Sequence, residues 1–232
     1  MFEPNEKMTP KITKDIKGRT AIIIDDFYKN PDEVRELALS LKYNDSSDLT
    51  SGFPGTRGVF DTTEVKEKLY DVYLHLCARY FDGQFDLIEF NNNWDNQVFL
   101  VNVLNDSTLK ANPLGILPHQ DWWQDDESSF QFGSVIYLNT PDECAGGTNL
   151  YSHFGKMTIP DDWQPQWVLD VDEPEFEYIK SKVDGGKPYT CEFEAEMVYN
   201  RMVLYQADVL HGQNVDLGMF TDYNRINQPL FM

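Results

Sequence analysis

From residue 85 onward the chain breaks into short β-branched and aromatic runs separated by Gly, Pro and Asn turns, and that spacing constrains the fold more than any other feature. Phe85–Phe90, Gln97–Val103, Ile116–Asp121, Phe132–Asn139, Thr148–Tyr151, Tyr189–Phe193, Met197–Gln206 and Tyr223–Phe231 all read as strands. One more, Thr20–Asp25, lies upstream. Two helical patterns precede the main run. Asn30-Pro31-Asp32-Glu33 offers a cap, a first-turn proline and a capping-box acid, and Val34, Leu37, Ala38 and Leu41 carry the apolar face to about Lys42. Asp61 and Glu64 open the second, with Val65, Leu69, Val72 and Leu76 facing inward to about Tyr80. Helices followed by hairpin-spaced strands predict a mainly β, α+β chain: a double-sheet jelly roll (a double-stranded β-helix) with the N-terminal helices packed on one sheet.

The 232 residues are enough for one well-filled domain, expected over 19–232. Residues 1–18 lack periodicity and read as a poorly ordered arm. Asn44–Gly58 and Asn105–Pro113 read as polar loops, the first long enough to rim a pocket. The acidic, Pro- and Trp-containing stretch at about 154–188 reads as an insertion on that rim, with a short helix near Glu173–Lys182.

Charge excludes some partners. A net charge of −20 repels phosphate backbones and anionic lipid, which disfavours nucleic acid and a membrane surface. No apolar run approaches a membrane span, and the first residues lack a signal-peptide core. Cys77, Cys144 and Cys191 are far apart and show no zinc spacing, as expected of reduced thiols in a cytoplasmic protein.

Chemistry gathers at Pro118-His119-Gln120-Asp121. On a strand, His119 and Asp121 share a face and stand roughly 7 Å apart. Imidazole plus carboxylate suits Fe(II), Mn(II) or Zn(II), and a second His would complete a facial triad with open positions. His75 lies mid-helix and His153 starts the insertion. His211 follows a strand closely enough to reach the pair, although a structural His fits that place too. Arg225, in the otherwise apolar last strand, must face solvent or meet an anion, because a buried unpaired guanidinium is costly. Its fork fits a carboxylate, from a ligand or from the protein itself. Trp122 and Trp123 are either packing residues or an aromatic wall against substrate. The run Asp125-Asp126-Glu127 reads as a solvated turn, and at the mouth it would favour a cationic or neutral substrate.

Taken in order, His119-x-Asp121, the strand Val135–Asn139 with Gly146-Gly147 after it, His211, and Arg225 fourteen residues later resemble the iron(II)/2-oxoglutarate-dependent dioxygenases, in their prolyl-hydroxylase-like branch. Ile24-Asp25-Asp26-Phe27-Tyr28 and the following helix are similar to the start of such domains. The resemblance implies that His119, Asp121 and His211 bind Fe(II), and that Arg225 holds the distal carboxylate of 2-oxoglutarate. O2 is the other co-substrate. Decarboxylation to succinate and CO2 would drive hydroxylation of a protein side chain, an amino acid or a small metabolite. Asp121 favours hydroxylation over halogenation, since halogenating members lack the metal carboxylate. Asn227 stands where the family often has Ser or Thr, and Asn102 or Tyr137 would replace a Tyr expected before the metal strand. A non-catalytic jelly-roll module and a cupin-like metalloenzyme without 2-oxoglutarate are the competing readings, and His153 is the competing third ligand.

Overall fold

The computed structural model describes residues 1–43, 55–81, 83–96, 100–121, 130–159, 175–185 and 188–232. Ten strands lie among them: β1 (Lys11–Ile16), β2 (Arg19–Ile24), β3 (Thr56–Val59), β4 (Leu100–Leu104), β5 (Phe132–Tyr137), β6 (Gly147–His153), β7 (Tyr189–Glu196), β8 (Met202–Gln206), β9 (His211–Asn214) and β10 (Arg225–Phe231). The helices are α1 (Pro31–Ser40), α2 (Thr63–Tyr80), α3 (Leu87–Asn96), α4 (Asp106–Ala111) and α5 (Phe176–Asp184). The chain is mixed α and β with antiparallel sheets. Seven strands form one sheet in the order β1-β2-β8-β5-β10-β4-β3, and three form a second in the order β7-β6-β9.

Strand alternation sorts the side chains into two cores. Ile136 of β5, Met202 and Leu204 of β8, and Ile226 and Leu230 of β10 face the helices. They pack with Val34 and Ala38 of α1, Leu69, Tyr73 and Leu76 of α2, and Phe90 and Trp94 of α3. The odd-numbered partners Val135, Tyr137, Val203 and Tyr205 take the other face. They pack with Leu150 of β6, Tyr189 and Ala195 of β7, and Phe176, Ile179 and Val183 of α5. Both faces of β5 and β8 are therefore covered, which is why their sequences are nearly continuous apolar runs. Each such side chain contributes about 1.5–3 kcal/mol on burial.

Several local expectations are corrected. Residues 1–18 are not a loose arm: β1 pairs with β2, and Phe2 is buried in the helix-side core, stacked on Phe60. The predicted strand Phe85–Phe90 is instead the start of α3. Asp86 Oδ1 accepts from the backbone N–H of Ile88 and Glu89, which caps a helix, and Phe90 and Trp94 stack one turn apart. Asn105–Pro113 holds α4, closed by a reciprocal capping box between Asn105 and Thr108. Asn30 begins α1 without a side-chain cap. Thr56–Val59, expected as loop, is β3, while residues 44–54 lie outside the described residues. No helix among the described residues is long and apolar enough to cross a membrane.

Candidate metal centre

The segment carrying His119 and Asp121 is not a full strand. A 3-10 turn at Pro113–Ile116 delivers it, and a single bridge to the first residue of β9 holds it. His119 N donates to His211 O (2.9 Å), and His211 N donates to His119 O (2.8 Å). Residues directly opposed in an antiparallel pair share a face. The two imidazoles therefore project together, with ring centroids 4.5 Å apart. Two residues on, Asp121 N donates to Ala207 O (2.8 Å), and alternation returns its carboxylate to the same side. His211 Nε2 lies 3.1 Å from Asp121 Oδ2, and His119 Nε2 lies 4.0 Å from Oδ1. One donor atom from each residue falls within 4.8 Å of the others.

Both rings are held through Nδ1. That atom sits 3.0 Å from Leu117 O in His119 and 2.9 Å from Val209 O in His211. A carbonyl can only accept, so each Nδ1 carries a proton and each Nε2 is the ring atom turned toward Asp121. Enclosure by protein pulls the His119 pKa down, with the neighbouring His211 adding to the effect, which favours the neutral ring. Burial pushes the Asp121 carboxyl up, but His211, His119 and Arg57 together overcome it and hold the group below its usual value. Asp121 Oδ2 is buried without a hydrogen-bond partner although His211 Nε2 is close. A carboxylate oxygen facing two imidazole Nε2 atoms calls for a cation among them, a ring proton or a metal ion. Two imidazole nitrogens and one carboxylate suit Fe(II), Mn(II) or Zn(II). The ring of His119 is 31% exposed while Asp121 and His211 are at 8% and 6%, so the cluster opens to the cavity on the His119 side.

That cavity, with its open mouth, spans about 640 Å³, and Arg225 reaches into it from β10. Arg225 is 1% exposed. Its Nη1 donates to Gln213 Oε1 (3.0 Å), its Nη2 donates to Gly147 O (3.3 Å), and its guanidinium lies 5.5 Å from the Tyr137 ring centre. Its Nε is buried without a partner, and among the described residues no carboxylate forms an ion pair with it. Burial pulls its pKa down, opposed by Tyr137. Among the described residues this buried cation is answered by neutral groups, an arrangement that suits an anion.

A family model described as a family of unknown function, DUF6445, matches residues 7–223. The chain belongs to this family. No curated protein matches it. Among solved structures, it is similar to a novel N-substituted L-amino acid dioxygenase from Burkholderia ambifaria AMMD. The two are 14% identical, with 91% of this chain and 81% of that chain covered and a TM-score of 0.39.

In this DUF6445 chain the remaining expected residues fall as follows. Asn227 lines the cavity with a buried Oδ1 lacking a hydrogen-bond partner. Tyr137 is wholly buried beneath Arg225 and donates its hydroxyl to Thr148 Oγ1 (2.7 Å). Asn102 pairs through its backbone with Asn227. His153 packs against Phe154 and Tyr189, outside the cluster. His75 is exposed on α2. Trp122, Trp123 and the run Asp125–Glu127 lie outside the described residues. Gln213, Thr148 and Arg57 line the cavity and were not anticipated. Gln213 was within reach of sequence reasoning, because it stands two residues after His211 on the same strand.

Proposed function

We propose that this chain is an Fe(II)- and 2-oxoglutarate-dependent dioxygenase that hydroxylates its substrate. The observation that carries the reading is Arg225: a buried guanidinium with no carboxylate ion-paired to it among the described residues, in a cavity shared with the histidines of a His-Asp-His cluster. Strand order supports it. Between β4 and β10 the chain alternates between the two sheets except at β6 and β7, which pair consecutively in the small one, and the His119 segment bridges the small sheet at β9. That alternation is what a jelly roll of the double-stranded β-helix type requires.

In this reading His119, Asp121 and His211 hold the metal, and Asp121 supplies the one anionic ligand. Arg225 binds the distal carboxylate of 2-oxoglutarate through its planar fork. Gln213, Thr148 and Asn227 offer neutral polar groups around it, and Tyr137 braces the guanidinium from below. With O2, the bound metal and co-substrate supply oxidative decarboxylation to succinate and CO2 together with the oxidising equivalent for hydroxylation. The backbone carbonyls of Leu117 and Val209 fix the tautomers, so each imidazole presents Nε2 without a proton to lose.

Anaerobic titration with Fe(II) and 2-oxoglutarate tests this. A weak visible charge-transfer band is expected from the wild type and not from Asp121→Ala. Its absence from folded, metal-loaded wild type would overturn the assignment in favour of a cupin-like or non-catalytic role.

A further inference from the structure

Resting on the dioxygenase reading, we propose that Arg57 binds a carboxylate of the primary substrate, which makes the substrate an organic acid with an apolar body. β3 is the edge strand of the large sheet. Its register sets Arg57 opposite Asn102, Asn102 opposite Asn227, and Asn227 opposite Tyr137. Arg57, Asn227 and Tyr137 therefore stand in one row across the sheet and share a face. Arg225, two residues from Asn227, shares that face as well. Two guanidiniums therefore enter one cavity from different strands. Arg225 is fully buried, while Arg57 is half-buried at the edge.

Charge decides what Arg57 attracts. Asp121 is the one acidic group at the site among the described residues, and it belongs to the metal cluster. Arg57 lines the same cavity as His119 and His211, so the edge arginine stands near the reacting centre. In the loaded site the co-substrate is matched by the metal and Arg225. A cationic substrate would then meet the metal and Arg57 together, whereas an anion meets a fork built for it. A guanidinium has five donors, enough to keep a protein neighbour and bind a carboxylate at the same time. At the outer end of β10, Pro229 and Phe231 line the cavity and are partly exposed, and Phe130 stacks on Phe231 at 5.3 Å. They offer an apolar wall for the rest of the molecule.

The test uses a panel of straight-chain and aryl-substituted monocarboxylates, each paired with its carboxamide. Binding is followed by calorimetry on anaerobic protein loaded with Fe(II) and 2-oxoglutarate. At least one acid is expected to bind about tenfold or more tightly than its amide. Arg57→Gln should erase that preference, Arg57→Lys should retain part of it, and 2-oxoglutarate affinity should stay within about twofold in both. If no acid binds, if amides bind equally well, or if Arg57→Gln keeps the preference, the proposal is overturned. The comparison of acid with amide in wild type does not depend on any variant folding. Failure of the dioxygenase reading shows separately, as loss of 2-oxoglutarate binding in wild type, and the Arg57-dependent preference can still be scored on the metal-loaded protein alone.

Discussion

Arg225 is the residue on which the most rests, because burial without an ion-paired carboxylate among the described residues makes its function separable from its packing. Arg225→Gln should weaken 2-oxoglutarate about a hundredfold, the scale of lost charge-assisted hydrogen bonds, with metal affinity nearly unchanged. Calorimetry showing equal loss of both would make Arg225 a brace for Gly147 and Gln213 instead. Asp121→Asn probes the cluster itself. Adding Mn(II) should raise the melting temperature of wild type by mass action and leave that of the variant unmoved. His119, Asp121 and Arg225 were legible in the sequence because each rests on a local rule: a two-residue period, or the cost of burying charge. Thr148 and Arg57 were not, because they reach the cavity only through strand pairings distant in sequence.

Elements position these residues through their ends. Gly146 has φ 64°, and a Cβ there would sit 1.9 Å from Asn214 O. At Gly147 a Cβ would sit 2.0 Å from Ala195 O. Gly147→Ala should therefore part β6 from β7 at a cost of about 1–3 kcal/mol, and should also weaken 2-oxoglutarate, since Gly147 O anchors Arg225. Chemical denaturation and co-substrate binding, measured together, check both halves. Asn105 caps α4 and also donates to Asn224 Oδ1, the residue before β10. Asn105→Ala should cost about 1 kcal/mol in urea unfolding. The long amphipathic α2 and the buried strands β5, β8 and β10 were plain in the sequence because burial imposed their periods. α3 was misread because Asp86 as a cap outweighs a short apolar run, and α4 because its signal is a polar box at the end of a single turn and a half.

Across the whole molecule, ion pairs tie the N-terminal strands to the sheet. Asp25 accepts from Arg201 Nε (2.5 Å) and Lys11 Nζ (2.6 Å). Arg201 foremost, then Lys11, holds its carboxyl below the usual value, with burial opposing. The ionised form is favoured in the fold, so its stabilisation is complete above the unfolded value of about 3.9 and is lost as pH falls through the lower folded value. Asp25→Asn should flatten that acid limb of the urea midpoint. The two cores also meet the site differently: the helix side is continuous packing, whereas the His119–Asp121 segment is held by one backbone bridge, the Asp121–Ala207 and Phe130–Asp121 backbone bonds and the Gln120–Ile159 pair. Short ladders of this kind open more cheaply than full strands. The lifetime of a bound ion should then be governed by fraying of the polypeptide rather than by the strength of any ligand bond. In hydrogen exchange on the metal-loaded protein, the amide of His119 should open at the rate at which a chelator strips the ion, and a His119 amide opening much more slowly than stripping would break that link.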